Sequence, residues 1–193
     1  MRELSLHILD IAENGIAAGA DHLLIRVEES GAGDRLMLSV EDNGRGIPPE
    51  KINHIEDPFV TTRKNRRVGL GLSLLATAAK RCEGDITVEA RPGKGTRVAA
   101  SFRRSHVDRA PLGDMAATLA VLILGNPHID FRYTHRVDGR EFILDTRDLK
   151  TEPGGLSLDD PMVVHRVSQF VRRALEELAA GPNLSPSMEG TDA

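Results

Sequence analysis

A helix pattern opens this chain, and three glycine-bearing strings follow it in order. Leu4, Ile8, Ile11 and Ala18 recur at threes, fours and sevens, which lines one side of a helix with apolar groups. Glu3, His7, Asp10, Asn14 and Ala17 share another face at similar spacing. The strings EDNGRGIP, VGLGL and PGKGT come next. Glycine belongs where the backbone turns sharply or approaches another group closely. One polar-faced helix and three such places, in this order, constrain the fold more than any other feature.

The segments between them take definite patterns. Gly19 stops the first helix. HLLIRVEES and DRLMLSVEDNG read as two strands joined across Ser30 to Asp34. KINHIEDPFVTTRKNRR is weakly periodic and reads as a short helix followed by a mobile loop. The spacing predicts a helix from Gly71 to Cys82, ended by Gly84. DITVEA and TRVAASFRR then form strands around Pro92 to Gly95. Residues 1–104 thus read α-β-β-(lid)-α-β-β, an α+β layer over a mixed, mostly antiparallel sheet. From Ser105, a helix opened by Pro111 is expected to run to Leu124. A hairpin follows about Asp138-Gly139, with strands IDFRYTHRV and REFILDTRD. Asp159-Asp160-Pro161 introduces a last helix, Met162 to Ala179. Residues 105–180 therefore form a small C-terminal α-β-β-α module, and 181–193 have the composition of a flexible tail.

Composition removes several classes. A formal net charge of −4 and an aromatic content of 3% disfavour direct nucleic-acid binding, which calls for basic patches and stacking platforms. One cysteine, Cys82, allows no internal disulfide and suits a reducing compartment. The longest later apolar stretch, Met115 to Leu124, is too short to span a bilayer. The expected location is the cytoplasm, with no membrane partner.

The polar groups suggest chemistry. Asp10 and Asn14, four residues apart, point the same way from their helix. Asn14 offers an oxygen to a hard cation such as Mg2+, and Asp10 could orient or deprotonate a water. For this helix taken alone, two solvated polar residues on an exposed face is the stronger explanation. Asp42 closes a strand, and Gly44 and Gly46 let backbone approach a flat ligand whose exocyclic amine the carboxylate would accept. Asn43-Gly44 also suits a plain hairpin turn. A calcium loop is excluded, because the twelfth position from Asp42 is Asn53 rather than Glu. Gly69 and Gly71 free backbone N–H groups at a helix N-terminus for phosphates, or else permit close helix–sheet packing. Gly93-Lys94-Gly95-Thr96 lacks the spacing of a Walker A loop. It is either a tight hairpin or a place where Thr96 bonds at the base end of a site. His106, His128, His135 and His165 lack zinc-site spacing and are expected at the surface or in hairpins.

Taken together, the four strings resemble the GHKL superfamily over Met1 to Arg103. That group includes gyrase, heat-shock chaperone ATPases, histidine kinases and mismatch-repair ATPases. The resemblance implies a Bergerat-fold ATP-binding domain, a two-layer α/β sandwich with its helices on one face of the sheet. It makes Asn14 the Mg2+ ligand, Asp42 the adenine reader, and Gly44, Gly46 and Ile47 part of the adenine pocket. Phe59, Thr62, Lys64, Gly69, Leu70, Gly71 and Leu72 fall to the ATP lid and the helix it leads into, and Gly95 and Thr96 to the last box. Asp10 takes the place of a general-base Glu and is one methylene shorter.

The resemblance implies ATP and Mg2+ as cofactors. It also implies a histidine kinase-like phosphotransferase acting on a protein partner in trans, since only a dozen residues precede Asn14 and the phospho-acceptor helices of a histidine kinase are absent. An ATP-hydrolysing switch and a non-catalytic ATP sensor are the alternatives, and homodimerisation is open. His7 is expected to be a polar helix-face residue near the metal, and Lys150 could reach ATP as a transducer lysine does.

Overall fold

The computed structural model describes residues 3–47, 70–151 and 155–181. The elements are α1 (Leu4–Ala17), β1 (His22–Ser30), β2 (Arg35–Asp42), α2 (Leu70–Arg81), β3 (Ile86–Ala90) and β4 (Thr96–Arg103). After them come α3 (Met115–Gly125), β5 (Asp130–Val137), β6 (Arg140–Asp145), α4 (Thr146–Thr151) and α5 (Pro161–Ala180). The strands form one sheet in the order β3-β4-β2-β1-β5-β6. β1 and β5 pair in parallel, and the other neighbours are antiparallel.

Alternation decides which face is covered. Leu23, Ile25 and Val27 of β1, Leu36, Leu38 and Val40 of β2, and Val98, Ala100 and Phe102 of β4 are buried. Their neighbours Arg26, Glu28, Arg97 and Arg103 are exposed. Side chains two apart share a face, so one face carries the core and the other meets solvent. The helices α2, α1, α3 and α5 pack side by side over the buried face. This is the two-layer α+β sandwich expected.

The strands of the C-terminal region continue that same sheet. In the β1–β5 register, Leu23 stands beside Phe131, Ile25 beside Tyr133 and Val27 beside His135. Equal parity puts Phe131 and Tyr133 into one core with Leu23 and Ile25, together with Leu119 and Leu122 of α3 and Val164 and Val171 of α5.

Two element boundaries differ from expectation. No helix begins at Pro111: the carbonyls of Pro111 and Leu112 accept the backbone N–H groups of Leu4 and Ser5 at 3.0 and 2.8 Å. The start of α1 has no side-chain cap, so this stretch satisfies donors that a helix leaves open. α3 begins only at Met115, capped by Asp114, whose carboxylate accepts from Ala117 N. Likewise β6 ends at Asp145, where Thr146 begins α4 and its Oγ1 accepts from Phe131 N at 2.8 Å.

His135, expected at the surface, is 5% exposed. Its neighbour in β5 explains why. The Tyr133 hydroxyl and His135 Nδ1 are 2.8 Å apart, and His135 Nε2 lies 3.2 Å from Glu29 Oε1. Arg104 Nε donates to the other Glu29 oxygen at 3.2 Å. Burial drives the Tyr133 phenol far above its usual pKa. Glu29 is held below the ordinary carboxylate range, chiefly by the His135 bond and further by Arg104, against the opposing effect of burial. A depressed carboxylate stabilises the fold above its unfolded-state pKa, and that stabilisation is lost as pH falls through the folded value. Glu29→Gln is expected to cost about 1–3 kcal/mol at neutral pH, with the deficit closing in strong acid. Urea unfolding of both proteins at the two pH values measures it.

Candidate functional site

α1 forms the floor of the site, and its last turn meets the end of β2. A Cβ on Gly15 would fall 2.8 Å from Asp42 Cβ. A mid-helix glycine costs about 1 kcal/mol against alanine, and here it lets a carboxylate lie on the helix. Asp42 Oδ1 accepts from Gly44 N at 2.8 Å. Burial pushes the Asp42 carboxyl above its ordinary pKa; the N–H groups of Gly44 and Thr96 work against this, and Glu41 adds to it. The result is a half-buried acceptor at the tip of a strand.

The turn after Asp42 is pinned on two sides. Asn43 Oδ1 accepts from the N–H groups of Asp21 and His22, each at 3.1 Å, and its Nδ2 donates to Asp21 Oδ1 at 2.6 Å. Arg45 donates from its backbone N to Ala18 O and from Nη2 to Ala17 O. β2 pairs with β1 before it and β4 beyond it, so Asn43-Gly44 is no hairpin turn.

The PGKGT turn closes over this one. Gly93 N donates to Arg45 O at 2.9 Å. Gly46 has φ 71°, and a Cβ there would lie 2.3 Å from Arg91 O. Gly95 has φ 86°, and its Cβ would lie 1.8 Å from Asp42 O. Thr96 stands opposite Asp42 in the β2–β4 ladder. Two of the three glycine strings thus make one interlocked end of the site, and Ile47 is half-buried where the described chain leaves it.

The other end lies further back along α1. A Cβ on Gly71 would be 3.5 Å from Asp10 Oδ2, so the Asp10 carboxylate rests against the first turn of α2. Asp10 and Gly15 are about 7.5 Å apart along the helix axis at 1.5 Å per residue. Asn14 is exposed between the two ends. Leu70 begins α2, and Leu72 packs against the core. His7 is not a solvated face residue: it is 3% exposed, and burial above all holds its ring below the usual imidazole pKa.

Asp10, Asn14, Asp42, Gly44, Gly46, Gly71, Gly95 and Thr96 are therefore brought along one line by α1, β2, β4 and α2. Phe59, Thr62, Lys64, Gly69 and the run Arg63 to Arg67 lie outside the described residues. Lys150 Nζ donates to Asp130 Oδ1 at 2.7 Å and to Ile129 O at 3.1 Å. That places it beside the start of β1, since Asp130 N donates to Asp21 O. Sequence reading did not single out Gly15 or the Arg45 and Arg91 carbonyls. A glycine inside an otherwise good helix was the one available signal.

The chain is similar to known proteins both in sequence and in fold. It is similar to sporulation kinase C of Bacillus subtilis, 31% identical over 94 residues, which is 49% of this chain and 22% of that protein. It is 36% identical over 89 residues to the alginate biosynthesis sensor protein KinB of Pseudomonas aeruginosa, 46% of this chain and 15% of that one. The matched stretch is thus less than a quarter of either relative. Among solved structures, the N-terminal domain of a DNA repair protein superposes with a TM-score of 0.58 at 17% identity, over 87% of this chain and 57% of that one. The Aquifex aeolicus MutL ATPase domain complexed with ADP gives 0.50 at 17% identity, over 88% and 70%. At such identities these likenesses concern the fold alone. Residues 2–106 match the family described as histidine kinase-, DNA gyrase B- and HSP90-like ATPase, and with more than half its length matched the chain belongs to that ATP-binding family.

Proposed function

We propose that this protein binds ATP with Mg2+ and passes the γ-phosphate to a protein partner in trans. The observation that carries the nucleotide reading is Asp42, a half-buried carboxylate seated on Gly15 and framed by the two interlocked glycine turns. It would accept from the adenine amine. Asp10 would face the triphosphate end against α2, whose first-turn N–H groups suit anions. Asn14 fits a magnesium ion shared with the phosphates: it is exposed, it offers a neutral oxygen, and it lies between Asp42 and Asp10. No cluster of three or more His, Cys, Asp or Glu side chains able to hold a metal occurs among the described residues, which agrees with a metal held largely by its nucleotide. Transfer to a partner is favoured because the sequence relatives cited above include a protein named as a kinase. Residues 105–180 are the candidate part for engaging that partner.

A second reading, an ATP-hydrolysing switch, is favoured by the place of the Asp10 carboxylate beside Gly71, where it could deprotonate a water. Incubation with γ-labelled ATP and Mg2+, alone and with the lysate of a native host, separates the two. Label on a second protein is the expected result. Free phosphate that falls about 100-fold or more in Asp10→Asn, the scale of a lost general base, would instead favour the switch. ATP binding with neither signal leaves a sensor. No helix among the described residues is long and apolar enough to cross a membrane.

A further inference from the structure

The sheet face opposite the helices carries a basin that the nucleotide site does not use. It has a volume of about 500 Å3 and opens across β1, β5 and β6. The strand registers explain its lining. Arg26 stands beside Thr134, Glu28 beside Arg136, and Thr134 beside Ile143, so side chains of one parity meet on this face. Four arginines line it, Arg26, Arg132, Arg136 and Arg147, against two glutamates, Glu28 and Glu141. The chain as a whole has a formal net charge of −4.

The present partners of these arginines leave binding capacity. Arg132 and Arg147 share one carboxylate, that of Asp145, which is itself buried. Arg26 meets Glu41 through Nη1, Arg136 meets Glu141 through Nη2, and both side chains are nearly half exposed. Exposed pairs of this kind contribute little, so an incoming carboxylate can share or displace them at small cost. The planar guanidinium fork also matches a carboxylate. The basin is long: Arg132 and Arg136 are about 13 Å apart along their strand, and exposed Ile143 sits on the strand beside the Thr134 between them. That spread exceeds a single phosphate. Among the described residues no aromatic ring lines it, which disfavours a stacked base. We propose that this basin docks an extended acidic segment of the protein partner, with an apolar side chain of that segment set against Ile143. The existence of a partner rests on the trans-acting reading above; the basin itself is independent of the nucleotide site.

Fluorescence anisotropy with a labelled short poly-glutamate peptide carrying one central leucine tests this. Wild type is expected to bind it in ~0.1 M salt, where charges act over ~10 Å, and to release it in ~1 M salt. Arg26→Gln with Arg136→Gln should bind about 10-fold more weakly, the combined scale of two exposed charge contacts. Arg166→Gln with Arg173→Gln, at exposed positions of α5, makes the same change in net charge on the helix layer and should leave the peptide affinity at the wild-type value. Glu28→Gln removes a competing carboxylate and should tighten binding, a gain that a merely structural role would not give. It also decides the question if thermal melts show the arginine variant unfolded. Equal weakening by the two arginine pairs would overturn the proposal, since it marks a general charge effect. So would absence of peptide binding by wild type, or tighter binding of oligothymidylate through Arg26 and Arg136, which would assign the basin to nucleic acid. Mg-ATP affinity, measured on the same proteins, should not change. Peptide binding without Mg-ATP binding would end the nucleotide reading and leave the basin standing, and Mg-ATP binding without peptide binding would do the reverse.

Discussion

Asp42→Asn is expected to abolish usable nucleotide binding while leaving the protein folded. A hydrogen bond to a charged acceptor contributes about 1.5–3 kcal/mol, and the new amide can turn an N–H2 toward an amine that needs an acceptor. Together these predict at least a 100-fold rise in Kd for ATP. The Asp42 carboxyl is raised in pKa, first by burial, so the folded state holds its proton more tightly than the unfolded chain. Its charge therefore opposes folding once pH exceeds the unfolded value, the reverse of Glu29. Removing that charge should leave the melting temperature of the free protein unchanged or higher at neutral pH. The same shift predicts that wild-type affinity begins to fall on acidification at a higher pH than an ordinary aspartate would give. Fluorescence titration across acidic pH, with melts of both proteins, checks all three points. Unimpaired ATP binding by Asp42→Asn would remove Asp42 from the site.

Gly95→Ala should be the most damaging small substitution at the base end. The residue has φ 86°, which strains any L side chain, and its Cβ would fall 1.8 Å from the Asp42 carbonyl oxygen. That neighbour is backbone and cannot rotate away. Strain of about 1–3 kcal/mol and forced separation of the two turns should lower the melting temperature by roughly 10 °C, at 2–4 °C per kcal/mol for a chain of this size. Nucleotide affinity should drop as Asp42 moves. Gly93→Ala is the control: its φ is 72°, but a Cβ there meets nothing within 4 Å, so it should show the backbone strain alone. Equal melting temperatures for the two variants would mean that the interlocked turns yield easily.

The two kinds of relatedness cover different lengths of the chain. Sequence similarity to kinases covers about half of it, whereas the likeness to the DNA repair protein and MutL structures extends over nearly nine-tenths of it. The parallel pairing of β5 with β1 gives this a physical basis. The C-terminal strands complete the sheet and share its core, and Asp130 N donates to Asp21 O, a residue that Asn43 pins beside the turn after Asp42. A partner bound to the C-terminal region would thus sit on the same rigid sheet as the nucleotide site.

Much of the fold was legible because its signals are local. Period-two alternation marked β1, β2, β4 and β5, and period-three-and-four spacing marked α1 and α2. Asp138-Gly139 marked a hairpin, confirmed by positive φ at both residues. Where prediction missed, a distant partner was responsible. Pro111 looked like a helix start, yet its carbonyl serves α1, more than 100 residues away in sequence. His135 looked like a surface residue because its partner Glu29 lies on another strand.

The sequence by itself determined the alternating elements, the ordered glycine strings and, through them, the ATP-binding family, because turn chemistry and side-chain periodicity are properties of neighbouring residues. Tertiary structure alone decided that EDNGRGIP and PGKGT lock together through Gly46 and Gly95, that Gly15 seats Asp42 and that His7 is buried. It also decided that residues 130–145 extend the sheet instead of forming one of their own. Each of these depends on which backbone a residue meets after the chain has packed, and no spacing along the chain encodes that contact.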